Sequence, residues 1–157
     1  MCADSVQLHV IQELLDMFDD NEQSSQLRDE TQHQDQLFLT LSVAALSDVP
    51  APHTLCLSGH IQGHPVAILV DSGSSHSFVS FSLVPVLDNV VNLPAVLSVR
   101  VANGDQLSCG SFIPQAAWSV DGYSFTSNLI VLPLSTYDII FGMDWLEQFS
   151  PMQVDWK

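Results

Sequence analysis

The stretch that decides the fold is "VAILVDSGSSHSFVS", residues 66–80, in which an apolar run ends in a single carboxylate, Asp71. Five consecutive apolar residues indicate a strand that is apolar on both faces and runs through the interior. An ionised carboxylate there is costly unless it is hydrogen-bonded or its proton affinity changes. Ser72 and Gly73 suit a tight turn that brings backbone N–H groups and a hydroxyl toward it. Asp71 is therefore the leading candidate for chemistry, although these three residues alone would favour a carboxylate that merely caps a turn.

From Thr54 onward the sequence has the pattern of short strands separated by turns. The segment "QGH" and the pairs Asn103-Gly104 and Asp121-Gly122 each lie between apolar runs, and Asn-Gly and Asp-Gly are strong hairpin signals because both turn residues must tolerate positive φ. In "LSVRVA" the apolar residues alternate, so the hairpin at Asn103 has one apolar face. Several short strands at regular spacing predict an all-β sandwich or barrel.

One helix is predicted after the last apolar run, "YDIIF", which ends at Gly142. Asp144 with Glu147 three residues later has the form of a capping box, which predicts a short helix over "WLEQF". Ser150-Pro151 would stop that helix.

The composition limits the classes of function. The chain has 157 residues, with 18 Asp and Glu against 3 Lys and Arg, a net charge of −15. This balance argues against direct binding of nucleic acid, which needs basic residues to neutralise phosphates, and against docking on an anionic membrane. Three scattered cysteines, no signal-peptide pattern and no membrane-length apolar window indicate a reduced, intracellular and cytoplasmic setting.

The chain divides into an N-terminal region, residues 1–36, and a domain, residues 37–157. Within the first, residues 5–19 have the spacing of an amphipathic helix, and residues 20–36 are acidic, Gln-rich and typical of a linker. The compact part of the domain begins between residue 37 and Thr54.

In this context the sequence resembles a retropepsin, specifically the protease domain of gypsy-type LTR retrotransposon polyproteins. Four stretches carry the resemblance, in order: "ILVDSGSSHSFVS", "VRVANGDQLSCG", "LIVLPLSTYDIIFGMDWL" and "VDWK". Two features depart from the family pattern. Pro85 interrupts "SFSLVPVL", where a short helix is usual, and is tolerable only in a first turn, for instance with Ser82 as N-cap. The sequence also ends at Lys157, where related polyproteins continue, so we expect a domain truncated at its C terminus.

The resemblance implies a closed, retropepsin-like β-barrel with a flap hairpin and one short C-terminal helix, paired as a two-fold homodimer. In that family two aspartates share a proton and hold a water between them, one acting as base and the other polarising the peptide carbonyl. This sequence contains one Asp-Ser-Gly and no internal repeat, so two chains are needed. The implied function is that of an aspartic endopeptidase that processes a polyprotein, acts on polypeptide substrates and needs no cofactor.

The resemblance also implies site roles. Asp71 would be catalytic. Ser72 and Gly73 would support its loop, with Ser72 bracing the loops of the two chains. The flap would include Ala102, Asn103 and Gly104, and a strand behind the loop would include Ile140, Phe141 and Gly142.

Other residues suggest rival interpretations. Cys56, His60 and His64 have a metal-like spacing, but a strand-turn-strand presents them poorly for tetrahedral zinc, so we expect no metal. His76 follows Asp71 closely, yet in the matched motif it is a loop residue without a catalytic role. Trp118, Trp145 and Trp156 are expected in the core or at a dimer contact. The alternative function is a catalytically silent barrel that serves as an interaction or dimerisation module.

Overall fold

A computed structural model describes residues 39–47 and 54–153. Its strands are β1 Leu39–Leu41, β2 Leu55–Ile61, β3 His64–Val70, β4 Phe78–Ser80, β5 Val91–Val101, β6 Gln106–Val120, β7 Tyr123–Leu132 and β8 Ile139–Phe141. Its helical segments are α1 Val43–Leu46, α2 Met143–Leu146 and the 3₁₀ helices Phe81–Val86 and Glu147–Phe149. The N-terminal helix and linker expected within residues 1–36, and Trp156, lie outside the described residues. No helix in the described part is long and apolar enough to cross a membrane.

The strands form one sheet in the order β1-β5-β6-β2-β3-β8-β4-β7, and β7 also pairs with β6. That extra pairing closes β6, β2, β3, β8, β4 and β7 into a barrel, while β5 and β1 extend from β6. Closure leaves these six strands without a free sheet edge among them. The predicted all-β class and closed barrel are confirmed.

The barrel core is formed by one side of each strand. Val79, Ile113, Leu129 and Ile139 belong to a cluster of buried apolar side chains around Trp118. The Trp118 ring stacks on Phe125 and lies against Phe141, with ring centroids 4.5 and 4.3 Å apart, and Trp145 packs beside it at 5.8 Å. Trp118 is therefore a core residue, as expected, and Trp145 is a partly buried residue that packs against the core.

The three predicted hairpins are present, but their turns differ. Gln62-Gly63 and Asp121-Gly122 each have two residues with positive φ, as a tight two-residue turn requires. At Asn103-Gly104 only Gly104 has positive φ, at 98°. Asn103 instead binds Asp105 twice: its Oδ1 accepts from the backbone N–H at 2.9 Å, and its amide donates to the carboxylate at 2.7 Å. The prediction that both residues have positive φ was wrong there.

Two predicted helix caps were also wrong. The C-terminal helix begins at Met143 with Gly142 at the N-cap, and Asp144 lies within its first turn. Because the Asp144 carboxylate binds another loop, it does not form the predicted capping box. The 3₁₀ helix Phe81–Val86 is capped by Ser80, whose hydroxyl accepts from the Ser82 N–H at 3.4 Å, and not by Ser82. Pro85 is the fifth residue of this helix, so the expectation that it lies in a first turn was also wrong.

Candidate active site

The Asp71 loop follows β3, which lies between β2 and β8 in the barrel wall. The Asp71 N–H donates to the Phe141 carbonyl at 2.9 Å, so the end of β8 fixes the start of the loop. One carboxylate oxygen accepts from the Gly73 N–H at 3.0 Å, and the other accepts from the Ser74 hydroxyl at 2.6 Å. Asp71 is half-buried, whereas Ser72 and Gly73 are exposed. The carboxylate is thus held in a fixed orientation while its turn faces solvent.

Gly142 lies directly behind this loop. A Cβ added at Gly142 would overlap the His76 carbonyl oxygen and would stand only 2.7 Å from the Ser74 carbonyl oxygen. The Ser74 carbonyl accepts from the Met143 N–H at 2.9 Å, so α2 also holds the loop. Only a residue without a side chain permits this close approach.

Ser77 and Asp144 form a second connection that the sequence did not reveal. The Asp144 carboxylate accepts from the Ser77 hydroxyl at 2.6 Å and from the Ser77 N–H at 3.0 Å. The Ser77 hydroxyl also accepts from the Gly142 N–H at 3.2 Å. These bonds join the far end of the Asp71 loop to the first turn of α2. Sequence spacing gives no sign of them, because the partners are 67 residues apart.

His76 lies within the loop, where burial lowers its pKa below the ordinary value and the nearby Asp144 carboxylate partly opposes that shift. Its Nδ1 is 2.8 Å from the Ser75 hydroxyl. Ser75 in turn contacts β1: its hydroxyl accepts from the Thr40 N–H at 2.9 Å. His76 therefore contacts Ser75, and the two hydrogen bonds to the Asp71 carboxylate described above come from Gly73 and Ser74.

The hairpin formed by β5 and β6 carries Ala102, Asn103 and Gly104 at its exposed turn. Between the turn end of this hairpin and the Asp71 loop lies β1, which pairs in parallel with Val99–Val101 of β5. The Leu41 carbonyl accepts a 2.9 Å hydrogen bond from the Ala102 N–H. The strand β1 thus separates Ala102, at the start of the predicted flap turn, from Ser75 of the Asp71 loop. Ile140 and Phe141 are fully buried in β8, behind that loop.

The metal-like spacing of Cys56, His60 and His64 brings no metal ligands together. Cys56 and His60 are exposed on β2, and the Cys56 sulfur lies 3.7 Å from the Tyr137 hydroxyl. Within residues 39–47 and 54–153 no group of three His, Cys, Asp or Glu side chains could hold a metal ion.

One family of proteins and two solved structures are similar to this chain. The family of retroviral aspartyl proteases matches residues 42–156. Among solved structures, the EIAV protease complexed with the inhibitor HBY-793 superposes with a TM-score of 0.52 at 14% identity, over 69% of this chain and all of the other. The retroviral protease-like domain of Ddi1 from Leishmania major gives a TM-score of 0.49 at 19% identity, over 66% of this chain and 82% of that domain. No curated protein matches the sequence.

Proposed function

Because the chain belongs to the family of retroviral aspartyl proteases, we propose that it is an aspartic endopeptidase that cleaves peptide bonds as a two-fold homodimer. The observation that carries the proposal is the Asp71 carboxylate. It stands at the end of a barrel strand, held by the Gly73 N–H and the Ser74 hydroxyl, beside an exposed turn.

The proposed chemistry uses two Asp71 residues, one from each protomer. Two carboxyl groups in one site share a proton, because two negative charges so close together repel. The ionised one takes a proton from a bound water, whose oxygen attacks the peptide carbonyl carbon while the neutral one protonates the carbonyl oxygen. In the second step the carboxyl that took the water proton gives it to the amide nitrogen, and the other, now ionised, takes a proton from one hydroxyl of the tetrahedral intermediate. The C–N bond then breaks, and a carboxylic acid and an amine leave. Both carboxyl groups regain their starting states.

The other site residues have supporting roles in this proposal. Ser72 is exposed and would donate a hydrogen bond across the two-fold axis. Gly73 would let the substrate backbone approach closely, and the turn at Ala102–Gly104 would close over the substrate and exclude water. Ile140 to Gly142 would hold the loop from behind.

The substrate would be the polyprotein of a gypsy-type LTR retrotransposon, processed in the cytoplasm. The order of the four sequence stretches supports this origin. Sequencing the flanking DNA tests it, because a reverse transcriptase reading frame is expected downstream.

The decisive test is Asp71→Asn, which keeps the shape and removes the base. We expect cleavage of a fluorogenic peptide at mildly acidic pH to fall at least about a thousandfold. A statine-type transition-state mimic should block the wild-type protein. Asp121→Asn is the matched control, because Asp121 lies in a distant turn with a positive φ that Asn tolerates. Cleavage that survives Asp71→Asn would refute the proposal.

Oligomeric state separates the enzyme from the silent barrel. Sedimentation at micromolar concentration should show a dimer if the two carboxylates meet. A chain that remains monomeric under the assay conditions cannot complete the site, and the interaction module would then be the better description.

A further inference from the structure

The strand β1 is held along one edge by the loop that follows Asp71. The Thr40 N–H donates to the Ser75 hydroxyl at 2.9 Å, and the Ser75 N–H donates to the Thr40 carbonyl at 3.0 Å. Along its other edge β1 pairs with β5 through the register Leu39 to Val99 and Leu41 to Val101. Backbone bonds on an extended segment are the means by which proteins hold peptides that add a strand to a sheet.

The side chains of β1 alternate between buried and exposed. Leu39 and Leu41 are 0% exposed, whereas Thr40 between them faces solvent. In β4 and β8, near the Asp71 loop, the core cluster includes Val79, Ile139 and Phe141. Side chains alternate along a strand, so the adjacent residues Phe78 and Ile140 lie on the opposite face. They too are 0% exposed. This second face of the barrel is thus apolar and shielded from water.

The segment that includes β1 ends beside the Asp71 carboxylate. The Ser42 N–H donates to the Ser74 hydroxyl at 3.2 Å, and that hydroxyl donates to Asp71 at 2.6 Å. A Cβ added at Gly73 would lie 3.1 Å from the Ser42 Cβ and 3.2 Å from the Asp71 Oδ1. Ser42 therefore occupies the open side of the turn, where a substrate would approach the carboxylate.

We propose that residues 39–42 occupy the peptide-binding groove between the Asp71 loop and the β5–β6 hairpin, and that this segment competes with substrate. The groove then selects extended peptides with leucine-like side chains at alternate positions. This inference rests on the proposed function, because it takes the groove to be the active site of the endopeptidase. A segment that fills the groove for most of the time lowers the apparent affinity for substrate by the fraction of molecules whose groove is free.

The test measures binding without hydrolysis. The probe is a fluorescein-labelled peptide, Leu-Thr-Leu-Ser-Val-Ala-Ala-Leu, titrated by fluorescence anisotropy into the full chain carrying Asp71→Asn. Adding Leu39→Asp and Leu41→Asp charges the buried side of β1 and should release it, so we expect the peptide to bind about tenfold more tightly or better. Tyr123→Asp is the control, because Tyr123 is 70% exposed on β7, which does not line the groove, and it should leave the affinity unchanged. Equal affinity with and without the Leu substitutions would overturn the proposal.

A second variant tests the proposal in case the doubly charged variant does not fold. Thr40→Pro removes the N–H that binds Ser75 and adds no charge, and the Thr40 side chain is exposed. If circular dichroism shows that Thr40→Pro is folded, unchanged peptide affinity in that variant would overturn the proposal.

Hydrolysis is measured separately, with Asp71 intact and a fluorogenic form of the same peptide. Tighter binding to a dimeric variant without any hydrolysis would refute the endopeptidase and leave the groove assignment standing. Hydrolysis with no difference in peptide affinity between wild type and the released variants would support the enzyme and refute the competing segment.

Discussion

At the scale of single residues, the closest packing in the site is at Gly142, where two carbonyl oxygens of the Asp71 loop surround the missing side chain. Gly142→Ala should lower the free energy of unfolding by about 1–3 kcal/mol, because a methyl group must displace backbone. Denaturant unfolding measures the change.

The matched control is Gly110→Ala in β6, where an added Cβ would meet nothing within 4 Å. Its effect should stay within about 0.5 kcal/mol. Equal losses in the two variants would show that the crowding at Gly142 does not limit stability.

The sequence predicted some residues of the site because of their chemical type. A carboxylate after an apolar strand is unusual, and so is a glycine that ends another apolar run, so Asp71 and Gly142 were identifiable. Ser74 and Ser77 were not, because serines in a polar loop look alike and their partners are decided by tertiary packing. The roles of Asp71, Ser72 and Gly73 in catalysis remain predictions.

At the scale of elements, α2 is attached to the Asp71 loop through Asp144. Asp144→Asn exchanges one acceptor oxygen for an amide and should weaken the bonds from the Ser77 N–H and hydroxyl. We expect a loss of about 1–3 kcal/mol in unfolding free energy. Thermal and denaturant unfolding both report this loss.

Glu147→Gln is the control within the same helical segment, because Glu147 is exposed and should change stability by less than about 0.5 kcal/mol. A capping box would make the two residues comparable. Similar losses in both variants would therefore contradict the contacts seen at Asp144.

Hairpins were predictable where a turn depends only on local residues, as at Asp121-Gly122. The Asn103-Gly104 hairpin was located correctly, but its φ angles were not, because Asn103 hydrogen-bonds to Asp105 instead of adopting positive φ. Asp144 was misassigned for a similar reason. A capping box is read from neighbours three residues apart, whereas the actual partner, Ser77, comes from a distant loop.

At the scale of the whole molecule, stability should depend on pH through His76. Burial lowers its pKa in the folded state, so the unfolded chain, with a pKa of 6.5, binds the proton first. The contribution of neutral His76 to the free energy of unfolding is therefore complete above pH 6.5, and it is lost as the pH falls toward the folded-state pKa. Uptake of one proton changes the free energy of unfolding by at most about 1.4 kcal/mol per pH unit.

Unfolding measured between pH 5 and 8 in wild type and His76→Asn checks this. The substitution should flatten the curve below pH 6.5, and His60→Asn, at an exposed position on β2, should not. Identical curves for wild type and His76→Asn would exclude the effect. A protease that works at mildly acidic pH would thus operate where this loop is becoming less stable.

The all-β class was predictable because strand length, alternation and turn spacing recur along the whole domain. Closure into a barrel was implied by the resemblance to retropepsins, because the same strand pattern also fits a sandwich. The position of β1 was not, because "LTL" has the pattern of any short strand and nothing local selects its neighbours. One edge of β1 hydrogen-bonds to Ser75 and the other pairs with β5 near Val99, and both partners are far along the chain.

The bond from the Asp71 N–H to the Phe141 carbonyl has a consequence for biosynthesis. It joins residues at opposite ends of the barrel sequence, as does the parallel pairing of Ile68 with Ile139. Such distant contacts make folding slow, in milliseconds to seconds, because a long loop must close before they form. A nascent chain therefore cannot complete the Asp71 loop until the ribosome has translated past Gly142. Synthesis itself delays the moment at which the carboxylate is in place.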